Sequence, residues 1–191
     1  GLLEEDVAGA IQEACMAIIN GRYHKCFVVD MIQGGAGTST NMNANEVIAN
    51  VALQILGHKK GQYEFCHPNN HVNLSQSTND AYPTAIKIAL LKRNKKLVKT
   101  LMDLIAAFKV KAVEFAHIIK MGRTQLQDAV PMTLGQAFEA ASITLEEEID
   151  RLTQNSNLFL EVNMGATAIG TGINSDPDYT RIVIGYLREV T

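Results

Sequence analysis

Tryptophan is absent from this chain, proline occurs only four times and cysteine three times. So few prolines leave room for long helices, because an interior proline removes a helical hydrogen bond. The cysteines, Cys15, Cys26 and Cys66, are odd in number and widely spaced. That speaks against a disulfide framework or a zinc knuckle. No apolar run reaches the roughly 20 residues needed to span a bilayer. No basic-then-apolar leader opens the chain. A formal net charge of −3 offers no basic face to nucleic acid or anionic lipid. The expectation is a soluble cytoplasmic protein with neither a membrane nor a nucleic-acid partner.

The 191 residues are 47% hydrophobic and 19% charged. That is enough apolar matter for a real core and too much for disorder. Gly1 to Asp6 runs almost at once into a helical pattern, and Glu189-Val190-Thr191 closes inside or beside another. Both ends read as those of an internal piece of a longer protein.

Periodicity predicts helices almost throughout. Leu3 to Asn20 carries Val7, Ala10, Ile11, Ala14 and Ile18 on one face, and Asn20-Gly21 stops it. Phe27-Val28-Val29 is a short extended candidate. A helix from Asn43 to Leu56 has Asn43 and Glu46 at capping-box spacing, and Gly57 ends it. Pro68-Asn69-Asn70 reads as a turn. A very long helix starts at Asn79 or Asp80, takes Pro83 in its first turn and reaches about Ile119. After a polar connection, Met121 to Asp128, Thr133 and Gln136 set a capping box for a second long helix. Gly165 to Gly172 is a loop of small residues, and Ser175-Asp176-Pro177 opens a last helix. Together these predict an all-α fold with two long antiparallel helices as its spine.

Three polar stretches lie where loops meet helices: Thr38 to Asn41, Ser75 to Asp80, and Gly122 to Asp128. Taken singly they read as caps and turns. Taken together they offer more hydroxyls and amides than caps use. Helix N-termini attract carboxylates and phosphates. The glycines of Gln33-Gly34-Gly35-Ala36-Gly37 let backbone N–H groups approach a ligand. No Gly-Lys-Ser/Thr follows them, so this is not a nucleotide P-loop. A small dicarboxylate suits such uncharged donors better than a triphosphate. Cys66, His67 and His71 could be metal ligands, but Pro68-Asn69-Asn70 breaks their spacing and no fourth ligand is near. No metal and no cofactor is expected.

These stretches resemble the fumarase/aspartase superfamily. The likeness rests on Gln33 to Ser39 with Asn41 to Glu46, on His67-Pro68-Asn69, on Ser75 to Thr84, on Met121 to Met132 and on Gly165 to Gly172. Ala36, Ala81-Tyr82 and Gln125 favour its aspartase branch over fumarase. The resemblance implies the superfamily's helical fold. Residues 1–78 would be the later part of an N-terminal helical domain, and 79–191 the first part of a central bundle. It implies an ammonia-lyase that converts L-aspartate reversibly to fumarate and ammonia, without cofactor, through an enediolate. By the same likeness Thr38, Ser77 and Thr78 hold the substrate's β-carboxylate, and Asn79 binds the departing amine. Thr124 then holds the α-carboxylate, with Gln125 near the amine. Most members have His where this chain has Gln125. A Gln cannot titrate, so Gln125 is no general acid. The His67 region departs from the fumarase pattern for a second anion site, with Asn70 replacing an Asp.

The family's Gly-Ser-Ser loop, with its basic Ser and a following Lys, does not occur in these residues. No catalytic base is therefore assigned, and the isolated chain is expected to be inactive. The resemblance also implies a homotetramer with a shared helical core. Two alternatives stay open: a fumarate hydratase of the same superfamily, and a non-catalytic helical oligomerisation module.

Overall fold

The computed structural model describes residues 1–191. Five α-helices and one two-stranded antiparallel sheet make up its regular structure. They are α1 (Glu5–Ile19), α2 (Thr38–Ile55), α3 (Thr78–Glu114), β1 (Ile119–Thr124), β2 (Gln127–Thr133), α4 (Leu134–Ser156) and α5 (Pro177–Val190). The fold is helical as expected, apart from the hairpin. No helix is long and apolar enough to cross a membrane. Contacts group the chain into two compact units, Gly1–Ile86 with Val162–Thr191, and Lys87–Glu161. These contact units cut the chain elsewhere than at residue 78.

In the first unit, α1 buries Val7, Ala10 and Ala14, the three- and four-residue spacing of one helix face. They pack on Val47, Val51, Ala52 and Leu53 of α2 and on Cys66. Ala14, Ala49 and Ala52 are wholly buried, and such small side chains let helices approach closely. Leu53 is also wholly buried, worth about 2 kcal/mol of transfer free energy.

The start of α2 corrects one expectation. The helix begins at Thr38, so Asn43 lies inside it and is buried. Its side chain is spent on the preceding strap: Val28 N–H donates to Asn43 Oδ1 at 2.9 Å, and Asn43 Nδ2 donates to the Cys26 carbonyl at 3.0 Å. Phe27-Val28-Val29 correspondingly forms no strand, because the Val28 and Val29 N–H groups go to the Asn43 side chain and the Phe27 N–H to the His24 carbonyl rather than to a neighbouring strand. At the other end Gly57, at φ +82°, turns the chain out of α2.

Pro68–Val72 winds as a short π-turn. The N–H groups of Asn69 and Asn70 donate to His67 Nδ1, and the His67 N–H donates to His71 Nδ1. Each imidazole thus gives its Nδ1 to the backbone.

In the second unit the remainder of α3 runs antiparallel to α4. Phe108 and Phe115 both meet the Phe138 ring, Lys109 pairs with Glu146, and Asn94 donates to the Leu152 carbonyl. Partner numbers fall along α4 as they rise along α3. The helix stops at Glu114, short of the expected Ile119, because the chain turns into β1. The Leu134 N–H then donates to Ile118 O, and the Gly135 N–H to Phe115 O. Gly135 is buried so tightly that a Cβ there would lie 2.8 Å from Ala116 Cα. The capping box of Thr133 and Gln136 forms as expected.

The polar connection turns out to be the β1–β2 hairpin. Its strands match Ile119 with Thr133 and Thr124 with Gln127, with a bulge opposite Gly122. Its two-residue turn is Gln125-Leu126, at φ +50° and +64°. Both residues take the left-handed conformation that Asn-Gly usually supplies, which hid the hairpin from its sequence.

Candidate functional site

Helix α3 starts at Thr78, one or two residues earlier than expected. Ser77 caps it. The Asn79 N–H donates to Ser77 Oγ at 3.2 Å, and the Ser77 N–H donates to Asp80 Oδ1 at 2.9 Å. This reciprocal pair is a capping box with Asp in the third position. Ser77 is therefore partly used by its own helix. The cap is complete without the Thr78 hydroxyl, although Thr78 is buried.

Asp80 is wholly buried. Its second oxygen, Oδ2, accepts the Thr167 N–H at 2.8 Å. Thr167 holds φ +60°, and its hydroxyl donates to Ile173 O. Asn79 is exposed, and its Nδ2 donates to the Ala168 carbonyl at 2.8 Å. Asn163 Nδ2 donates in turn to the Asn79 carbonyl at 2.9 Å. The segment from Asn163 to Ala168 thus grips the first turn of α3. Pro83 sits in the second turn of α3 rather than the first.

Tyr179 of α5 lies near this grip. Burial, with the Asp80 charge adding to it, pushes its phenol up to about 12. A phenol normally ionises near pH 10. The raised value means the folded chain keeps the proton longer. That stabilisation is complete below about pH 10 and is lost as pH rises through about 12. Urea melts from pH 9 to 12 check this. Wild type should lose more stability across that span than Tyr179→Phe, and equal losses would refute the assignment.

The second helix start lies in the same unit. Gly37, at φ +85°, precedes Thr38 and provides no side-chain cap. The N–H groups of Thr38, Ser39 and Thr40 consequently have no helical partners. Thr40 Oγ1 is buried and without a partner in the chain. Gly37 packs against the Tyr82 ring of α3, where a Cβ would collide with ring carbons. Asn73 completes the joint. Asn41 and Asn45 of α2 both donate to Asn73 Oδ1, and Asn73 Nδ2 donates to Gln76 O. Thr38 is therefore brought beside the segment that carries Ser77, Thr78 and Asn79. The starts of α2 and α3 are thereby tied together, and helix N-termini are suited to a carboxylate.

Thr124 and Gln125 belong to the second unit. Thr124 ends β1 and pairs with Gln127, and Gln125 begins the strained turn. Both are exposed, with an Arg123–Asp128 ion pair beside them.

Sequence reasoning missed Asn73, Asp80, Asn163 and Thr167. One signal was available. Pro83 stands four residues after Asn79, so the Asn79 carbonyl loses its helical donor and calls for a partner elsewhere.

Comparison with known proteins bears on this geometry. Residues 1–191 match the profile of a family described as Lyase. The chain is 59% identical over 191 residues to an aspartate ammonia-lyase of Helicobacter pylori, covering all of this chain and 41% of that protein. It is also similar to a solved structure of a fumarate lyase:delta crystallin from Brucella melitensis bound to cobalt, at TM-score 0.86 and 55% identity, over 98% of this chain and 41% of that one. A class II fumarase of Schistosoma mansoni matches at TM-score 0.79 and 34% identity, over 100% of this chain and 40% of that one. The chain thus spans about two fifths of the length of these relatives.

Proposed function

The chain belongs to the lyase family matched along its whole length, and on that premise we propose that it is the substrate-gripping part of an aspartate ammonia-lyase. The reaction converts L-aspartate reversibly to fumarate and ammonia. A base takes a proton from the carbon next to the β-carboxylate. The electron pair moves into that carboxylate as an enediolate, then returns to form the double bond as the amine leaves the neighbouring carbon. Charge gathers on the carboxylate oxygens, so preorganised donors there contribute most.

The observation that carries this reading is the meeting of two helix starts at Thr38 and Thr78, joined through Gly37, Tyr82 and Asn73. Thr38, Ser77 and Thr78 hold the β-carboxylate. Asn79 receives the amine, Thr124 holds the α-carboxylate, and Gln125 lies near the departing group as a hydrogen-bonding neighbour. A fumarate hydratase is the second reading. The lower identity to the fumarase, 34% against 59% for the ammonia-lyase, favours ammonia as the leaving group.

Quaternary structure follows the same reading. Along α3, Leu97, Met102, Val110 and Val113 are exposed, more apolar surface than a free helix keeps. Further copies of the chain cover it in a homotetramer, working in the cytoplasm with its three cysteines unpaired.

The test uses the full-length protein and L-aspartate. Fumarate absorbance and released ammonia should rise together in equal amounts. Fumarate converted to malate with no ammonia from aspartate would transfer the assignment to a hydratase. The 191 residues alone, without a Gly-Ser-Ser loop and its Lys, should give no turnover in the same assay.

A further inference from the structure

Proline at position 83 breaks the hydrogen-bond ladder of α3 at one place. Residue 83 would donate its N–H to the carbonyl of residue 79, but proline has no N–H. The carbonyl left over belongs to Asn79, the residue assigned above to the amine. It is not abandoned: Asn163 Nδ2 lies 2.9 Å away and donates to it. Asn163 is remote in sequence and comes from the segment before the small-residue loop.

The same segment also governs the Asn79 side chain. Its Nδ2 is committed to the Ala168 carbonyl at 2.8 Å. An amide has a donor end and an acceptor end. With one of its two N–H groups held there the amide is fixed in place, and Oδ1 is its one free acceptor. A protonated amine can only donate, so an oxygen acceptor is what it requires.

We propose that Asn163 is a positioning residue that replaces the helical N–H removed by Pro83, holding Asn79 so that its amide oxygen faces the substrate's amino group. This rests on the ammonia-lyase reading above. It adds a determinant for the amine end of the substrate, outside the residues that meet the carboxylates. Asn163 touches Asn79, not the substrate, so its influence is confined to what Asn79 binds.

That confinement makes the test selective. In the full-length enzyme running from fumarate and ammonia, Asn163→Ala should raise KM for ammonia about tenfold, the scale of one well-made hydrogen bond. KM for fumarate, which has no amine, should stay within about twofold. Adding Pro83→Ala returns an N–H to position 83. The double variant P83A/N163A should recover the ammonia KM to within about threefold of wild type. A general loosening of the fold would raise both KM values and would not be rescued by a residue on another element. Equal rises for fumarate and ammonia, no rise for either, or no rescue by Pro83→Ala would each overturn the proposal.

A second readout separates this idea from the reading it rests on. Hydrogen exchange along Thr78 to Ile86 should speed up in N163A and return to the wild-type rate in P83A/N163A, whatever the reaction catalysed. Restored exchange in a full-length protein that makes no fumarate from aspartate would sink the lyase reading and the amine-facing role, leaving only the backbone contact. Unchanged exchange in N163A, with fumarate still made, would overturn the positioning role alone.

Discussion

On the proposed ammonia-lyase reading, Thr78→Ala in the full-length protein should lower kcat/KM for L-aspartate by about 10²- to 10³-fold, the usual consequence of removing one donor from a developing oxyanion. The helix start tolerates the change. Ser77 and Asp80 complete the cap between them, and alanine is a better helix former than threonine. Lost activity with an unchanged melting curve is the expected pair of results. Initial rates of fumarate formation and a urea melt provide both. Undiminished activity would mean that the β-carboxylate is held elsewhere. A full-length protein that assembles normally but has no measurable activity, with or without Thr78, would return the chain to the class of helical scaffolds.

Asp80→Asn acts on stability. The Asp80 carboxylate is wholly buried and accepts one backbone N–H on each oxygen, from Ser77 and from Thr167. An asparagine has the same shape but only one acceptor end. Its NH2 group would face whichever N–H lost its oxygen, donor against donor. The loss of a charge-assisted bond and the stranded buried N–H together cost about 2–4 kcal/mol. Equilibrium urea unfolding reads this directly. Asp128→Asn, at an exposed ion pair on the hairpin, is the control and should change stability by less than about 1 kcal/mol. An Asp80→Asn protein as stable as the control would show that Thr167 and Ser77 find other acceptors.

Much of this arrangement was legible in the sequence, and what was hidden has physical causes. Helix faces announced themselves through spacing, as at Val7, Ala10 and Ala14, because burial of one face repeats with the helical turn. Local caps were equally legible where all partners lie within three residues, as with Thr133 and Gln136. The Asp176 side chain at the head of α5 accepts the Asp178 N–H in the same local manner. Asn43 misled because its residue type and spacing to Glu46 fit a cap, while its true partners at Cys26 and Val28 lie many residues upstream. The hairpin was concealed by a turn that uses Gln and Leu where glycine or asparagine is the normal signal. Of the site, the hydroxyls were visible as a surplus. The asparagine joint at Asn73 and the grip by Asn163 and Thr167 were not, since hydrogen bonds between distant segments leave no periodic trace.

The grip on α3 has a consequence for the order in which this protein can be finished. Asp80 and Thr167 stand 87 residues apart, and Asn79 and Asn163 stand 84 apart. The compact unit they close is interrupted by Lys87–Glu161. A chain emerging from the ribosome therefore displays the helix start at Thr78 with a buried-type carboxylate still in water and a carbonyl that Pro83 cannot serve. Closing so long a loop is an entropic toll settled before any reward from the contact, and contacts of this separation slow folding. Nascent chains stopped before Asn163 should hold the first turn of α3 open to proteases and chaperones. The first turn of α3 is thus made well before the residues that hold it, Asn163 and Thr167.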